Sequence, residues 1–487
     1  MNDPRPQIDL QAVARQVMLE RGFNPDFPPQ VQQQVAALKS HLTLPAPGSA
    51  IRHLRGLFWS SVDNDTSKDL DQLEVAEQLP NGDAKVLVAI AEVDTDVPRD
   101  SPIDQHAGSQ ATTVYTGVRN FSMLPEALST GLTSLLENQD KAAIIIEFVV
   151  SGDGQLKSND LYRALVRNKA QLTYNAVGPW LEGKGAPPSK VAASTDLQAQ
   201  LKLQSTVAQV LKQQRYQQGA LNVETIEVRP VLVNDTVSDV VKQEKNLATE
   251  LIEDFMIAAN GVVARTLETV SSIRRVVKTP ERWDRIVQLA ATQGGTLPAQ
   301  ADSKALNNFL MQRKAADPNH FADLSLSVIK LMGPGEYVLE RPGDPSAGHF
   351  GLAVQDYTHS TAPNRRFADL VTQRLIKNFL TKTASPYSDG ELDAIAKNCT
   401  TREDAARKVE REMTKRMSAV AMAGRIGETF DAIVTGANSK GTFVRVLSPH
   451  VEGMLVQGQQ GLDVGDSLHA KLVRTDVQRG YIDFARA

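Results

Sequence analysis

Ser61-Val-Asp-Asn-Asp-Thr-Ser-Lys-Asp-Leu-Asp-Gln-Leu-Glu74 is the stretch that decides how this chain is read. Asp63, Asp65, Asp69, Asp71 and Glu74 fall within twelve residues. Gathered carboxylates repel one another, and they need a hard cation, a cage of hydrogen bonds or solvent. Asp69 and Asp71 are two apart, so an extended backbone points both to one side. Three readings follow. A solvated acidic loop, with Asp65 and Glu74 as bystanders in water, is the ordinary fate of a charge run. A calcium loop is the second, because Asp63, Asp65, Ser67, Asp69, Asp71 and Glu74 take positions 1, 3, 5, 7, 9 and 12 of an EF-hand. Position 6 of that motif needs Gly and here is Lys68, and the flanks Leu54–Val62 and Val86–Val93 read as strands, not helices. The third is a Mg²⁺ site for phosphodiester hydrolysis, in which few carboxylates hold the ion and open positions take water and phosphate oxygens.

Further blocks lie along the chain in order. Val88-Ala-Ile-Ala-Glu-Val93 is a strand candidate, and Tyr115 precedes Ser122-Met-Leu-Pro-Glu-Ala-Leu-Ser129. Glu250-Leu-Ile-Glu-Asp-Phe-Met-Ile-Ala-Ala-Asn260 has helical spacing. His349-Phe-Gly-Leu-Ala353 leads to Tyr357-Thr-His-Ser-Thr-Ala-Pro-Asn-Arg-Arg-Phe367, with Asp369 and Arg374 just beyond. Together with the acidic run, these blocks resemble the ribonuclease II (RNB) family over about residues 50 to 425. Asp63, Asp69 and Asp71 match three of the four family carboxylates, and Gln72 stands at the fourth. An amide oxygen still ligates a hard cation but brings no charge. The family's Pro-Ile-Arg is Pro363-Asn364-Arg365 here.

The resemblance implies a hydrolytic exoribonuclease that degrades single-stranded RNA from its 3′ end to nucleoside 5′-monophosphates with Mg²⁺, or Mn²⁺ in its place. It implies Asp63, Asp69, Asp71 and Gln72 as metal ligands, with Asp63, Asp69, Asp71, Arg365 and Glu410 catalytic. Arg365 suits a phosphate clamp, because a guanidinium fork matches phosphate oxygens and keeps its charge. Tyr115 and Arg366 are expected at the RNA, Tyr115 by stacking on a base or capping the channel, Arg366 in the supporting shell. His349 and His359 lack metal-ligand spacing and read as structural or RNA-contacting. The alternative is an RNA-binding regulator with a decayed active site, and Gln72 is the residue that raises it.

The remainder of the chain frames this centre as an α+β protein. Residues 1–48 form a helical module, possible as a helix-turn-helix, with Leu10, Val13, Val17 and Met18 on one face and Val31, Val35 and Leu38 on another. A Leu-Pro-Ala-Pro-Gly turn at 44–48 ends it. The catalytic domain is expected over 49–425, with strands at Val86–Val93, Ala142–Val150 and Gly348–Val354. Helices are expected at Asp104–Gln110, Glu126–Glu137, on either side of Val223–Val233, over 280–332, from Arg366 to Thr381 and from Ser388 to Gly424. Over 426–487, five short strands with Gly-rich turns predict a five-stranded OB-fold barrel. It resembles the S1 type, with Phe430 and Phe443 as the aromatics that meet RNA bases. A charge of -4, from 53 Lys+Arg and 57 Asp+Glu, does not favour nucleic acid globally, but basic residues lining a groove act locally. A single cysteine, Cys399, excludes an internal disulfide framework. No secretory leader and no apolar run of membrane-spanning length is legible, so a cytoplasmic monomer is expected.

Overall fold

The computed structural model describes residues 8–39, 51–233, 236–318, 320–438 and 441–487. The turn expected at 44–48 lies outside them. The N-terminal region holds α1 (Leu10–Glu20) and α2 (Pro29–Lys39). Asp9 caps α1 by accepting from the Gln11 and Ala12 N–H groups. The strands β1 (Arg52–His53), β2 (Ser60–Asp63), β3 (Gln72–Gln78) and β4 (Ala84–Ala91) follow. Then come α3 (Pro102–Gln110), the small hairpin β5 (Val114–Tyr115) and β6 (Asn120–Phe121), and the long pair β7 (Asp140–Val150) and β8 (Leu156–Arg167). After β9 (Ala170–Thr173) the chain turns helical with α4 (Tyr174–Leu181), α5 (Ser189–Ala192) and α6 (Thr195–Gln218).

A second hairpin, β10 (Glu227–Val233) and β11 (Thr236–Gln243), separates α6 from α7 (Leu247–Thr266). Next come β12 (Ser272–Val276), α8 (Trp283–Thr292), α9 (Ser303–Ala316), α10 (Phe321–Met332) and β13 (Glu336–Glu340). Two helices close the region, α11 (Phe367–Thr381) and the 35-residue α12 (Asp389–Ala423), which starts on a Ser388/Glu391 capping box. The last five strands are β14 (Thr429–Asn438), β15 (Gly441–Val446), β16 (Val451–Gln457), β17 (Ser467–Asp476) and β18 (Tyr481–Arg486).

The main sheet runs β1-β8-β7-β4-β3-β2-β9. Its central strands are apolar on both faces, and a core of Val86, Val88, Ile90, Ile144, Ile146 and Phe148 packs under Phe255 of α7. The decisive irregularity is between β2 and β3. They pair at one position, Ser60 opposite Glu74, and then diverge, so the acidic segment opens as a loop at the end of the sheet. The C-terminal strands form a closed barrel in the order β14-β15-β16-β18-β17. At Gly453 an added Cβ would meet Ile482 O at 2.4 Å and the Phe484 ring at 2.6 Å, so only glycine lets the barrel close there.

A second core joins α1 and α12 to the barrel through Leu10, Val17, Met18, Val409, Met413 and Met417. α2 rests instead on α3, where Gln34 accepts from the Ile103 N–H. No helix among the described residues is long and apolar enough to cross a membrane.

Two expected elements take other forms. Glu126–Glu137 is not a helix; only a five-residue turn, Leu128–Leu132, forms. Thr133 and Ser134 spend their hydroxyls on Asn364 and Lys68 instead of continuing it. Gly348–Val354 is not a strand either. Gly348 and Ala353 both take left-handed backbone (φ 65° and 52°), and His349 Nδ1 accepts from the Leu352 N–H to fix a tight turn over Phe350–Leu352.

Candidate active site

The acidic loop leaves β2 at Asp63 and re-enters the sheet at Gln72, and its backbone is held from below. The Leu70 N–H donates to Ser134 Oγ (3.0 Å), and that hydroxyl donates to Lys68 O (2.7 Å). The Leu135 N–H donates to Leu70 O, and the Ala91 N–H to Asp71 O. Facing this loop is the turn at 362–366. Asp369 organises it: one oxygen accepts from the Ala362 N–H, and both take the Arg366 fork at 2.8 and 2.7 Å. The Asn364 N–H then donates to Asp71 Oδ1 (3.0 Å), and Thr133 Oγ1 donates to the Asn364 side chain. Loop and turn are thus tied across 293 residues of sequence.

Asp71 sits at the junction, 1% exposed. Its Oδ2 has no hydrogen-bond partner and lies 3.5 Å from Arg365 Nε. Burial pushes its carboxyl up to about 7, against the pull of Arg365 and the Asn364 N–H, and Asp69 adds to the rise. Asp63 is raised for the same first reason, desolvation, with Arg365 opposing. Burial works against the charge of Arg365, but Tyr115, Asp71, Asp63 and Asp69 together outweigh it and hold the guanidinium above its ordinary value. Part of the Tyr115 ring is open, with the residue 39% exposed. Its phenol end is desolvated beside Arg365, Asp69 and Asp71 and is pushed up to about 12. Asp63, Asp69, Asp71, Tyr115 and Arg365 therefore share one electrostatic site.

The other expected residues have different positions. Glu410 on α12 accepts from the Tyr115 N–H (3.0 Å), so it fixes the strand that carries Tyr115 and stands back from the carboxylates. The fork of Arg366 is committed to Asp369, the geometry of a supporting residue. Gln72 is buried at the start of β3. His359 shares a hydrogen bond with the Tyr337 hydroxyl (2.7 Å), and burial lowers His349 to about 4. Both are structural. Asp65 is exposed and accepts from Asn175.

Two expectations are corrected. Glu74 is not a solvated bystander: it is 0% exposed, because strand pairing with Ser60 and Val88 draws it inside. Phe430 is not an exposed base-stacking ring. It is 7% exposed, packed edge-on against Phe484 with Arg425 over its face, and belongs to the barrel core. Phe443 alternates with the buried Thr442, Val444 and Val446 and points outward, half-buried. Ser134, Thr133, Asn364 and Tyr174, whose phenol lies in the field of Asp63 and Glu74, were not singled out from the sequence. Ser129 and Asn364 flank them inside recognisable blocks, but bonds through main-chain groups leave no sequence pattern.

Among the described residues no three His, Cys, Asp or Glu side chains converge into a ready-made metal cage. The donor chemistry nonetheless fits a hard cation. Asp63, Asp69 and Asp71 offer oxygen only, and the buried Asp71 Oδ2 lacks the partner that a cation would supply.

Residues 51–382 match the RNB domain, and residues 428–487 match the RNase II-type exonuclease C-terminal S1 domain. The chain is 29% identical to ribonuclease R of Thermotoga maritima, over 98% of this chain and 70% of that protein. It is 27% identical to ribonuclease R 1 of Lactococcus lactis, where it spans 61% of the relative's length. Among solved structures it resembles the apo form of Mycoplasma genitalium RNase R, with a TM-score of 0.87 at 23% identity, over 98% of this chain and 78% of that one. It also resembles yeast Ssd1, described as a pseudonuclease, with a TM-score of 0.72 at 16% identity, over 98% of this chain and 58% of that one. With the RNB domain spanning more than half its length and an S1 barrel behind it, the chain belongs to the RNB family.

Proposed function

We propose that this chain is a Mg²⁺-dependent exoribonuclease that hydrolyses single-stranded RNA in the 3′-to-5′ direction and releases nucleoside 5′-monophosphates, with Mn²⁺ able to replace Mg²⁺. The observation that carries the reading is the juxtaposition of Asp71 Oδ2, buried and unpartnered, with the Arg365 guanidinium at 3.5 Å. Ribonuclease R relatives over nearly the whole chain support it. So does a fold shared with Mycoplasma genitalium RNase R, which has been solved in complex with ribose-methylated single-stranded RNA.

In this reading Asp63, Asp69 and Asp71 hold the metal, and the Gln72 amide oxygen adds an uncharged donor. A bound dication supplies charge on the non-bridging phosphate oxygens and lowers the pKa of the attacking water. Arg365 clamps the scissile phosphate, with side-chain area 46% open toward substrate. Asp71 Oδ2 accepts the proton of the attacking water. In-line attack expels the 3′ oxygen of the preceding nucleotide, so the phosphate stays 5′ on the residue released. Tyr115 stands where a terminal base stacks. Glu410 holds Tyr115 in place, and Arg366 holds the turn that carries Arg365. Residues 49–425 perform the chemistry, 426–487 capture RNA through the outer face that bears Phe443, and 1–48 brace α12 and α3. The protein acts as a cytoplasmic monomer.

A 5′-labelled RNA, its 3′-blocked form and the matching DNA test the proposal. A ladder that shortens from the 3′ end of the unblocked RNA alone is expected. Internal cuts, 2′,3′-cyclic ends or equal loss of DNA each contradict it, and intact RNA with tight binding supports a regulator with a decayed site.

A further inference from the structure

The reaction outlined above leaves one buried carboxylate unused. Glu74 is fully enclosed, and neither of its side-chain oxygens has a hydrogen-bond partner. Ser60 stands directly opposite it in the only register pair between β2 and β3, and the Ser60 hydroxyl is also buried without a partner. Gln204 of α6 donates from Nε2 to the Glu74 carbonyl (3.4 Å) and leaves its own Oε1 buried and unpartnered. Four oxygens from three side chains thus face burial with no donor supplied to them. A carboxyl kept for packing alone would be hydrogen-bonded, since an unpartnered buried polar group costs about 1–3 kcal/mol.

The position of Glu74 gives the reason. The charge that bears on it is that of Asp63, and the Tyr174 phenol lies within the field of both. Glu74 is two residues beyond Gln72 on β3, and side chains two apart on a strand share a face. Gln72 occupies the place where the acidic run resembles a fourth family carboxylate. The chain therefore lacks a negative charge at 72 and holds one at 74, on the same face and one step deeper.

We infer that Glu74 supplies the charge missing at Gln72, as a rear carboxylate that strengthens the hold of Asp63, Asp69 and Asp71 on a divalent cation. This rests on the metal-dependent reading above. Glu74 acts through charge and bridging water, not as a direct ligand, because no three carboxylates converge with it among the described residues. Groups that support metal ligands from behind commonly change metal affinity by about 10–100-fold when removed.

The test is calorimetric titration of the full chain, free of RNA, with Mn²⁺ and with Mg²⁺. Glu74→Gln is expected to weaken Mn²⁺ binding by about tenfold. The double variant Gln72→Asp/Glu74→Gln, which moves the charge back one place, is expected to restore wild-type affinity to within about threefold. Gln72→Asp alone is expected to change affinity less than about threefold, because the charge it adds is already present. Wild-type affinity in Glu74→Gln overturns the inference. So does a weakened Glu74→Gln that Gln72→Asp fails to restore, which would mark Glu74 as structural. Should Glu74→Gln not fold, the single Gln72→Asp variant still decides: tightening by tenfold or more means the charge was missing and overturns it. Wild-type protein that binds neither ion overturns the metal-dependent reading itself, a result distinct from all of these.

Discussion

Replacing Asp71 by Asn in metal-free protein isolates what burial costs at the centre of the site. Asp71 is 1% exposed, and burial raises its carboxyl from 3.8 to about 7. The sign follows from which state binds the proton more tightly. Here the folded state does, so below pH 3.8 the carboxyl is neutral in both states and carries no penalty. As pH rises toward about 7, the unfolded chain ionises freely while the fold resists, and stability falls. Above that the full penalty stands. Three pKa units correspond to about 4 kcal/mol. Asparagine cannot ionise, and its Oδ1 still accepts from the Asn364 N–H.

The variant is therefore expected to match wild type near the acid end of this window and to exceed it by up to about 4 kcal/mol on the alkaline side. For a domain of this size that is roughly 5 °C in melting temperature. Melting in a chelator, followed by the fluorescence of the buried Trp59, measures the difference as a function of pH. Saturating Mg²⁺ should reverse the order, because a ligand that binds only the folded state stabilises it, and the variant has lost a ligand. RNA hydrolysis should be abolished while RNA binding persists. A melting gap that does not change with pH would refute the reasoning, and so would wild type being the more stable protein at alkaline pH. Either would mean that Arg365 compensates the buried charge fully.

Arg365→Lys should reduce the turnover of bound RNA by at least tenfold with little change in RNA affinity, since lysine keeps the charge but loses the fork; single-turnover rates with pre-bound RNA check this. In the barrel the two phenylalanines should separate cleanly. Phe430→Ala should destabilise the barrel by about 3–5 kcal/mol, as a large-to-small change in a packed core, seen in urea melts. Phe443→Ala should leave those melts unchanged and weaken binding to long RNA, with about 1–3 kcal/mol lost per stacked base, seen in filter binding.

How far the site was legible depended on whether its geometry is carried by local spacing. Asp63, Asp69 and Asp71 were legible because three carboxylates in nine residues cannot coexist without a purpose, and the segment is too short to separate them. The barrel was legible because glycine turns punctuate five apolar runs. Arg365 was found by the block that surrounds it, not by chemistry, since one arginine among many carries no signal of its own. The support beneath the site was not legible. Ser134 reaches Leu70 across 64 residues, and Asn364 reaches Asp71 through a backbone N–H that every residue but proline has.

Two misreadings, by contrast, had their correction in the sequence. Phe430, Ala432 and Val434 form an apolar stripe at period two, as do Val444 and Val446, and that parity puts Phe430 inside the barrel and Phe443 outside. Glu74 was read with the acidic run before it, although Leu73, Val75 and Ala76 already mark the start of a buried strand. Once the chain enters the sheet at Gln72, the same residue type that is solvated at Asp65 has to find a partner or a cation. That change of surroundings, over nine residues, is what separates an acidic surface loop from a site able to bind a metal ion.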